Sequence, residues 1–205
     1  MHALIVLAHP LKGSATHTVA GHIARGIRYS DQQHTAEVAD LNAEGFDPRF
    51  TEADIEVHQN SAQVPADVAA EQSRIAHADA LVLVYPIYWW SFPALLKGWI
   101  DRVFTRGWAF DESRDGGLIK KLDHLPIHLF ALGGADRGTF ARRGYADAMN
   151  KQIEQGIFGF CGAQVMNSSL LLASDAGFPA MHFEVAYAAG RSLFTPAGNV
   201  SVTPE

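Results

Sequence analysis

Ala80-Leu81-Val82-Leu83-Val84-Tyr85-Pro86-Ile87-Tyr88-Trp89-Trp90-Ser91-Phe92-Pro93 carries the plan of the molecule. Its first six residues form an apolar run with no polar alternation, stopped by Pro86. Such a run suits a strand buried on both faces of a parallel sheet. Two more runs have the same character: Ala3 to Ala8, ending at His9-Pro10, and Ile127 to Leu132, closed by Gly133-Gly134. Helical patterns lie between and around them: Ser14 to about Tyr29, Ala66 to His77, Pro93 to Phe104, Tyr145 to Phe160 and Ala180 to Leu193. Thr35 to Leu41 and Gln164 to Leu172 read as further strands. Strands alternating with helices imply right-handed βαβ units and a doubly wound sheet. Residues 42–65 and 111–123 read as polar, irregular excursions, with Phe46 and Phe50 anchoring the first.

The chain has 205 residues, 48% hydrophobic and 19% charged, with a net charge of −6. That is enough apolar material for a substantial core, and residues 1–205 are expected to form a single domain. Nothing in this charge suggests a polyanion partner, since nucleic acid would want a basic face. The one cysteine, Cys161, allows no internal disulfide and no cysteine cage for a metal. His9, His17 and His22 have no ligand-like pattern, so no metal is expected. No apolar run approaches the roughly 20 residues that span a bilayer. Met1 to Val6 reads as a strand, not a signal peptide, and a cytoplasmic protein is expected.

In an open α/β sheet, ligands sit beyond the carboxyl ends of the strands, where strand order reverses. That rule selects three loops. The first, His9 to His17, brings Ser14 and Thr16 to a helix N-terminus, where N–H groups and the helix dipole favour phosphate. It matches neither a Walker loop nor G-x-G-x-x-G, and an ordinary capping turn would read the same way. The second, Tyr85 to Pro93, holds five aromatics in eight residues. Flat apolar walls suit a planar tricyclic ligand, and they equally suit a core cluster or a subunit interface. The third, Gly133 to about Tyr145, permits close backbone approach at Gly133-Gly134 and then runs polar and flexible. Arg137, Arg142 and Arg143 there could meet a nucleotide 2′-phosphate.

The motifs His9-Pro10-x3-Ser14-x-Thr16, Tyr85 through Pro93 with Ala94-Leu95-Leu96-Lys97-Gly98-Trp99-Ile100-Asp101-Arg102-Val103-Phe104, Gly133-Gly134, and Gly156-Ile157-Phe158-Gly159-Phe160-Cys161-Gly162 occur in that order. Together they resemble the NAD(P)H:quinone oxidoreductases of flavodoxin-like fold, from residue 3 to about 175. The resemblance implies a flavodoxin-like, doubly wound, five-stranded parallel sheet with helices on both faces, and a homodimer with its site at the interface. It implies bound FAD, with FMN as the alternative, and hydride transfer from NAD(P)H to a quinone. By position, His9, Ser14, Ala15 and Thr16 would hold the flavin phosphates. Pro86, Ile87, Tyr88, Trp89 and Trp90 would contact the isoalloxazine ring, and Gly133 and Gly134 its pyrimidine side. Phe110 and Phe160 would line the acceptor pocket, Phe160 from the second subunit. Residues Ala94 to Phe104 would pack on the sheet and shape the dimer.

The third loop departs from the family pattern. Counting without gaps, Thr139 and Tyr145 stand where relatives carry a Tyr–His proton relay, and the segment is about two residues shorter. Tyr145 is the candidate acid. Two other readings are a flavin-binding regulatory subunit acting on a membrane transporter, and an electron carrier without a nicotinamide pocket.

Overall fold

The computed structural model describes residues 1–195; the Pro/Gly-containing tail expected after the last helix lies largely outside the described residues. Chain order is β1 (His2–Leu7), α1 (Ala15–Ser30), β2 (Thr35–Asp40), α2 (Glu52–His58), α3 (Ala66–Ala76), β3 (Ala80–Pro86) and α4 (Ala94–Val103). There follow β4 (Phe110–Glu112), β5 (Leu118–Lys120), β6 (Pro126–Gly133), α5 (Arg137–Arg143) and α6 (Tyr145–Met149). A π-helical stretch (Asn150–Phe158), α7 (Gly159–Cys161), β7 (Gln164–Leu172) and α8 (Ala180–Ser192) complete the series.

Five strands form one parallel sheet in the order β2-β1-β3-β6-β7. This is the flavodoxin-like order, and the strand sequence reverses between β1 and β3. The apolar runs have no polar alternation because both faces of the sheet are covered. Leu4, Val6, Leu81, Leu83 and Tyr85 point into one core, with Leu96, Trp99 and Val103 of α4. Ala3, Ile5, Leu7, Val82 and Val84 point into the other, with Val19, Ile23 and Ile27 of α1 and Ala186 of α8. Burying a large aliphatic side chain contributes about 1.5–3 kcal/mol, so each central strand stabilises two layers at once.

Four stretches carry structure that the pattern reading left irregular or plain. Within 42–65 lies α2. Its start is marked by Thr51-x-x-Asp54: the Thr51 N–H and Oγ1 donate to Asp54 Oδ2 at 2.7 and 2.6 Å. Phe46 does pack against the core, but Phe50 is exposed and no anchor. The excursion 111–123 overlaps an antiparallel hairpin, Phe110↔Lys120 to Glu112↔Leu118. The third loop contains α5, capped by Asp136, whose carboxylate accepts the Thr139 N–H at 2.8 Å, and ended by Gly144 at φ +66°. The helix expected over 145–160 widens into the π-helical stretch at Asn150. There a Cβ on Gly156 would lie 3.1 Å from the Lys151 carbonyl oxygen, so the wide turn favours glycine.

Candidate functional site

The first loop delivers its chain into α1 through Ser14, an extended N-cap residue at φ −63° and ψ 166°. Ser14 Oγ accepts the His17 N–H at 3.4 Å. The N–H groups of Ala15 and Thr16 have no acceptor among the described residues. Thr16 is 2% exposed, its hydroxyl likewise has no partner among them, and that oxygen is not enclosed. His9 is half-buried, and its Nδ1 accepts the Leu11 N–H at 3.1 Å. His17 bridges Ser14 and Asp40: Nδ1 lies 2.8 Å from Ser14 Oγ, and Nε2 lies 2.9 Å from Asp40 Oδ2. Neither His17 nor Asp40 stands out in the sequence, because the second residue comes from a different strand end.

The second loop is a tight hairpin. Tyr88 N–H donates to Ser91 O at 3.2 Å and Ser91 N–H to Tyr88 O at 3.1 Å. Trp89 and Trp90 between them both have positive φ, +51° and +57°. A two-residue turn with both central residues left-handed normally takes Asn-Gly or Gly-Gly. Tryptophan there costs about 1 kcal/mol or more per residue, and such strain concentrates at ligand sites. The turn leaves the N–H groups of Trp89 and Trp90 without acceptors among the described residues. It also leaves Trp89 88% exposed. Ile87 is held down by its N–H donating to Leu132 O at 2.7 Å, which ties this loop to the end of β6.

The second and third loops converge. Ile87, Trp89, Trp90, Gly133, Gly134, Ala135 and Phe140 line a cavity of about 110 Å³. Gly133 fills a tight position: a Cβ would lie 2.8 Å from Leu172 Cδ2 and 3.1 Å from Ile87 Cδ1. Gly134 has open space where a Cβ would be. Tyr145, at the start of α6, stacks on Trp90 with ring centroids 3.7 Å apart and planes at 27°. It therefore belongs to the same cluster, with its ring face committed to the tryptophan. Thr139 instead turns its hydroxyl to Asp136 at 2.9 Å. Arg137 donates to both Asp175 oxygens, at 2.7 and 2.9 Å, and Arg142 reaches Thr139 Oγ1 at 3.3 Å.

Phe110 and Phe160 also come together, edge to face at 5.1 Å. They line a separate cavity of about 230 Å³ with Arg106, Gly116 and Leu118, none of which belongs to the three loops. Another cavity, about 320 Å³, lies between the sheet and α6 and is lined by Tyr85, Asp147, Glu154 and Ser169. Burial, reinforced by Glu154, pushes the Tyr85 phenol well above its ordinary value. Cys161 is buried and its thiol is pushed up to about 11, so it is no nucleophile.

Donors at a helix start, flat aromatic rings and an open Gly134 at neighbouring strand ends fit a phosphate-bearing planar heterocycle such as a flavin. A family model described as Flavodoxin-like fold matches residues 1–188. Ribosyldihydronicotinamide dehydrogenase [quinone] of Pongo abelii is 30% identical over 198 residues, covering 84% of this chain and 81% of its own. The chain belongs to the flavodoxin-like family of NAD(P)H:quinone oxidoreductases. An NAD(P)H:quinone oxidoreductase from Methanothermobacter marburgensis superposes with a TM-score of 0.82 at 27% identity, over 94% of this chain and 98% of that one. General stress protein 14 of Treponema denticola, solved with FMN, superposes at 0.59 with 25% identity, over 94% and 95%. As a member of this family the chain is a flavin-binding oxidoreductase, and among its described residues no helix is long and apolar enough to cross a membrane.

Proposed function

We propose that this enzyme works as one cytoplasmic domain that holds FAD at the three strand-end loops and moves two electrons from NAD(P)H to a quinone. When bound, the flavin supplies the hydride chemistry, accepting from a nicotinamide and donating to the quinone in turn. The protein's part is to bind, orient and stabilise charge. The free N–H groups of Ala15 and Thr16, with the Ser14 and Thr16 hydroxyls and His9, hold the phosphates, helped by the α1 dipole. Pro86, Ile87, Tyr88, Trp89 and Trp90 form the wall against the ring system. The Trp89 and Trp90 N–H groups are donors for developing negative charge at its rim. Gly134, open where a Cβ would be, lets backbone approach the opposite edge, with Gly133 seated tightly beside it on Ile87 and Leu172. Tyr145, pinned on Trp90, keeps a proton at its hydroxyl for the acceptor oxygen. Phe110 and Phe160, remote from the loops of their own chain, would cover the acceptor site of a second copy in a homodimer.

The observation that carries this reading is the Trp89-Trp90 turn. Two adjacent left-handed tryptophans are the kind of backbone strain that clusters at ligand sites, and their N–H groups have no acceptor among the described residues. The test is an absorption spectrum of the purified protein, chromatography of the released cofactor, and NAD(P)H oxidation with a soluble quinone. Bound FAD and turnover with NADH or NADPH are expected. Released FMN would correct the cofactor, following the Treponema denticola relative. A colourless protein that takes up neither flavin would overturn the proposal.

A further inference from the structure

The Ser14 hydroxyl sits at the head of a chain of hydrogen bonds, Ser14 Oγ to His17 Nδ1 and His17 Nε2 to Asp40 Oδ2. The chain joins two strand ends. Asp40 closes β2, opposite Leu7 at the end of β1, so the sheet register sets the carboxylate beside the start of α1. Asp40 Oδ1 accepts the N–H groups of Asn42 and Ala43, both at 3.2 Å, which fixes the carboxylate in place. Burial works to raise the Asp40 carboxyl, but the His17 hydrogen bond and these N–H groups outweigh it and hold it below its ordinary value. Asp40 therefore accepts only.

This geometry constrains the proton on His17. A neutral imidazole has one N–H, and Asp40 claims it at Nε2. Nδ1 is then an acceptor, so the Ser14 O–H turns inward to it and presents lone pairs to the helix N-terminus. A protonated His17 donates from both nitrogens. Ser14 Oγ then accepts from Nδ1, and its hydrogen is free to point outward, where an anion would sit.

We propose that His17 is a positioning residue for the flavin phosphates: held by Asp40, it takes up a proton as they bind and turns the Ser14 O–H toward them. This rests on the flavin reading above. It makes His17 and Asp40 determinants of selection for phosphate-bearing flavins over riboflavin. Other ionisable groups around His17 are His9, whose ring is edge-on at 6.2 Å, and Lys12, exposed in the same loop.

The test is titration of the flavin-free protein with FAD and with riboflavin, read by fluorescence quenching between about pH 5.5 and 8.5. FAD is the cleaner probe, because a phosphate monoester such as FMN has its own titration near pH ~6. The FAD Kd should weaken on the order of tenfold across this range, as a charge-assisted hydrogen bond is lost, with riboflavin unchanged. Calorimetry in buffers of different ionisation enthalpy should show proton uptake with FAD and none with riboflavin. His17→Gln should flatten the FAD profile, and Asp40→Asn should move it to lower pH. Parallel profiles for FAD and riboflavin, or a step that survives in His17→Gln, would overturn the assignment. Should the protein take FMN alone, the same comparison runs above about pH 7. Failure to bind any flavin would fall on the flavin reading itself, whereas flavins bound with matching profiles would fall on His17 alone.

Discussion

The segment from residue 42 to 65 and the loop from 86 to 92 both leave the regular sheet, and they treat polar groups in opposite ways. In the first, polar groups are used up internally. Asp54, 1% exposed, accepts from Arg102 Nε at 3.1 Å, while Arg102 also reaches the Asp47 carbonyl at 2.9 Å and Asp67 at 2.5 Å. Gly98 of α4 lets Pro48 approach so closely that a Cβ would strike its carbonyl. In the second, N–H groups are left over, aromatic faces are exposed and the backbone is strained. Satisfied polar groups make scaffold, and unsatisfied ones held in place make a site.

The largest effect is expected on the scaffold side. Arg102→Ala strands a buried carboxylate and should cost about 3–5 kcal/mol in chemical denaturation. Flavin affinity in the fraction that stays folded should be unchanged; a large affinity loss would break the division between scaffold and site.

His128 tests a buried polar group with neither role. Burial pushes its imidazole down to about 4, against an ordinary value near ~6.5. The folded state thus prefers the neutral form. Its stability contribution is complete above pH ~6.5 and is lost as pH falls toward 4, by up to ~3 kcal/mol. Urea midpoints of wild type and His128→Gln, compared at pH 7 and 4.5, should show a shallower acid loss in the variant. Equal slopes would put the acid sensitivity elsewhere.

On the site side, Tyr145→Phe keeps the ring on Trp90 and removes only the hydroxyl. If that hydroxyl supplies the proton, kcat with a quinone should fall about 100-fold, with flavin affinity preserved. An unchanged kcat would leave Tyr145 as a stacking platform.

The smallest expected effect has the most telling sign. Trp89→Gly relieves a left-handed residue and should raise stability by ~1 kcal/mol while weakening flavin binding. A loss of both would mean that the turn is not strained.

The buried strands, the loops at their carboxyl ends and the central motif from Pro86 to Phe104 were legible in the chain because each is a local pattern. A run of apolar residues announces a two-faced strand whatever lies around it. Thr51-x-x-Asp54 is also a local signal, a helix start set within a polar stretch. By contrast, nothing near Arg102 says that its partners are Asp47, Asp54 and Asp67, some 35 to 55 residues earlier. Nor does anything near Arg137 say that its guanidinium is committed to Asp175 and so is already paired where a nucleotide phosphate was expected. Phe110 and Phe160, 50 residues apart in the chain, meet in a cavity that none of the three loops lines.

By itself the sequence determined the doubly wound sheet, its two-layered core and the three loops that gather at one end, since hydrophobic period and turn residues act over a few positions. Only the tertiary structure decided which donors are left unpaired. It set Trp89 and Trp90 in a left-handed turn, stacked Tyr145 on Trp90 and brought Asp40 to His17. Those outcomes depend on strand register and on the competition among distant groups for each hydrogen bond, which no short stretch of sequence contains.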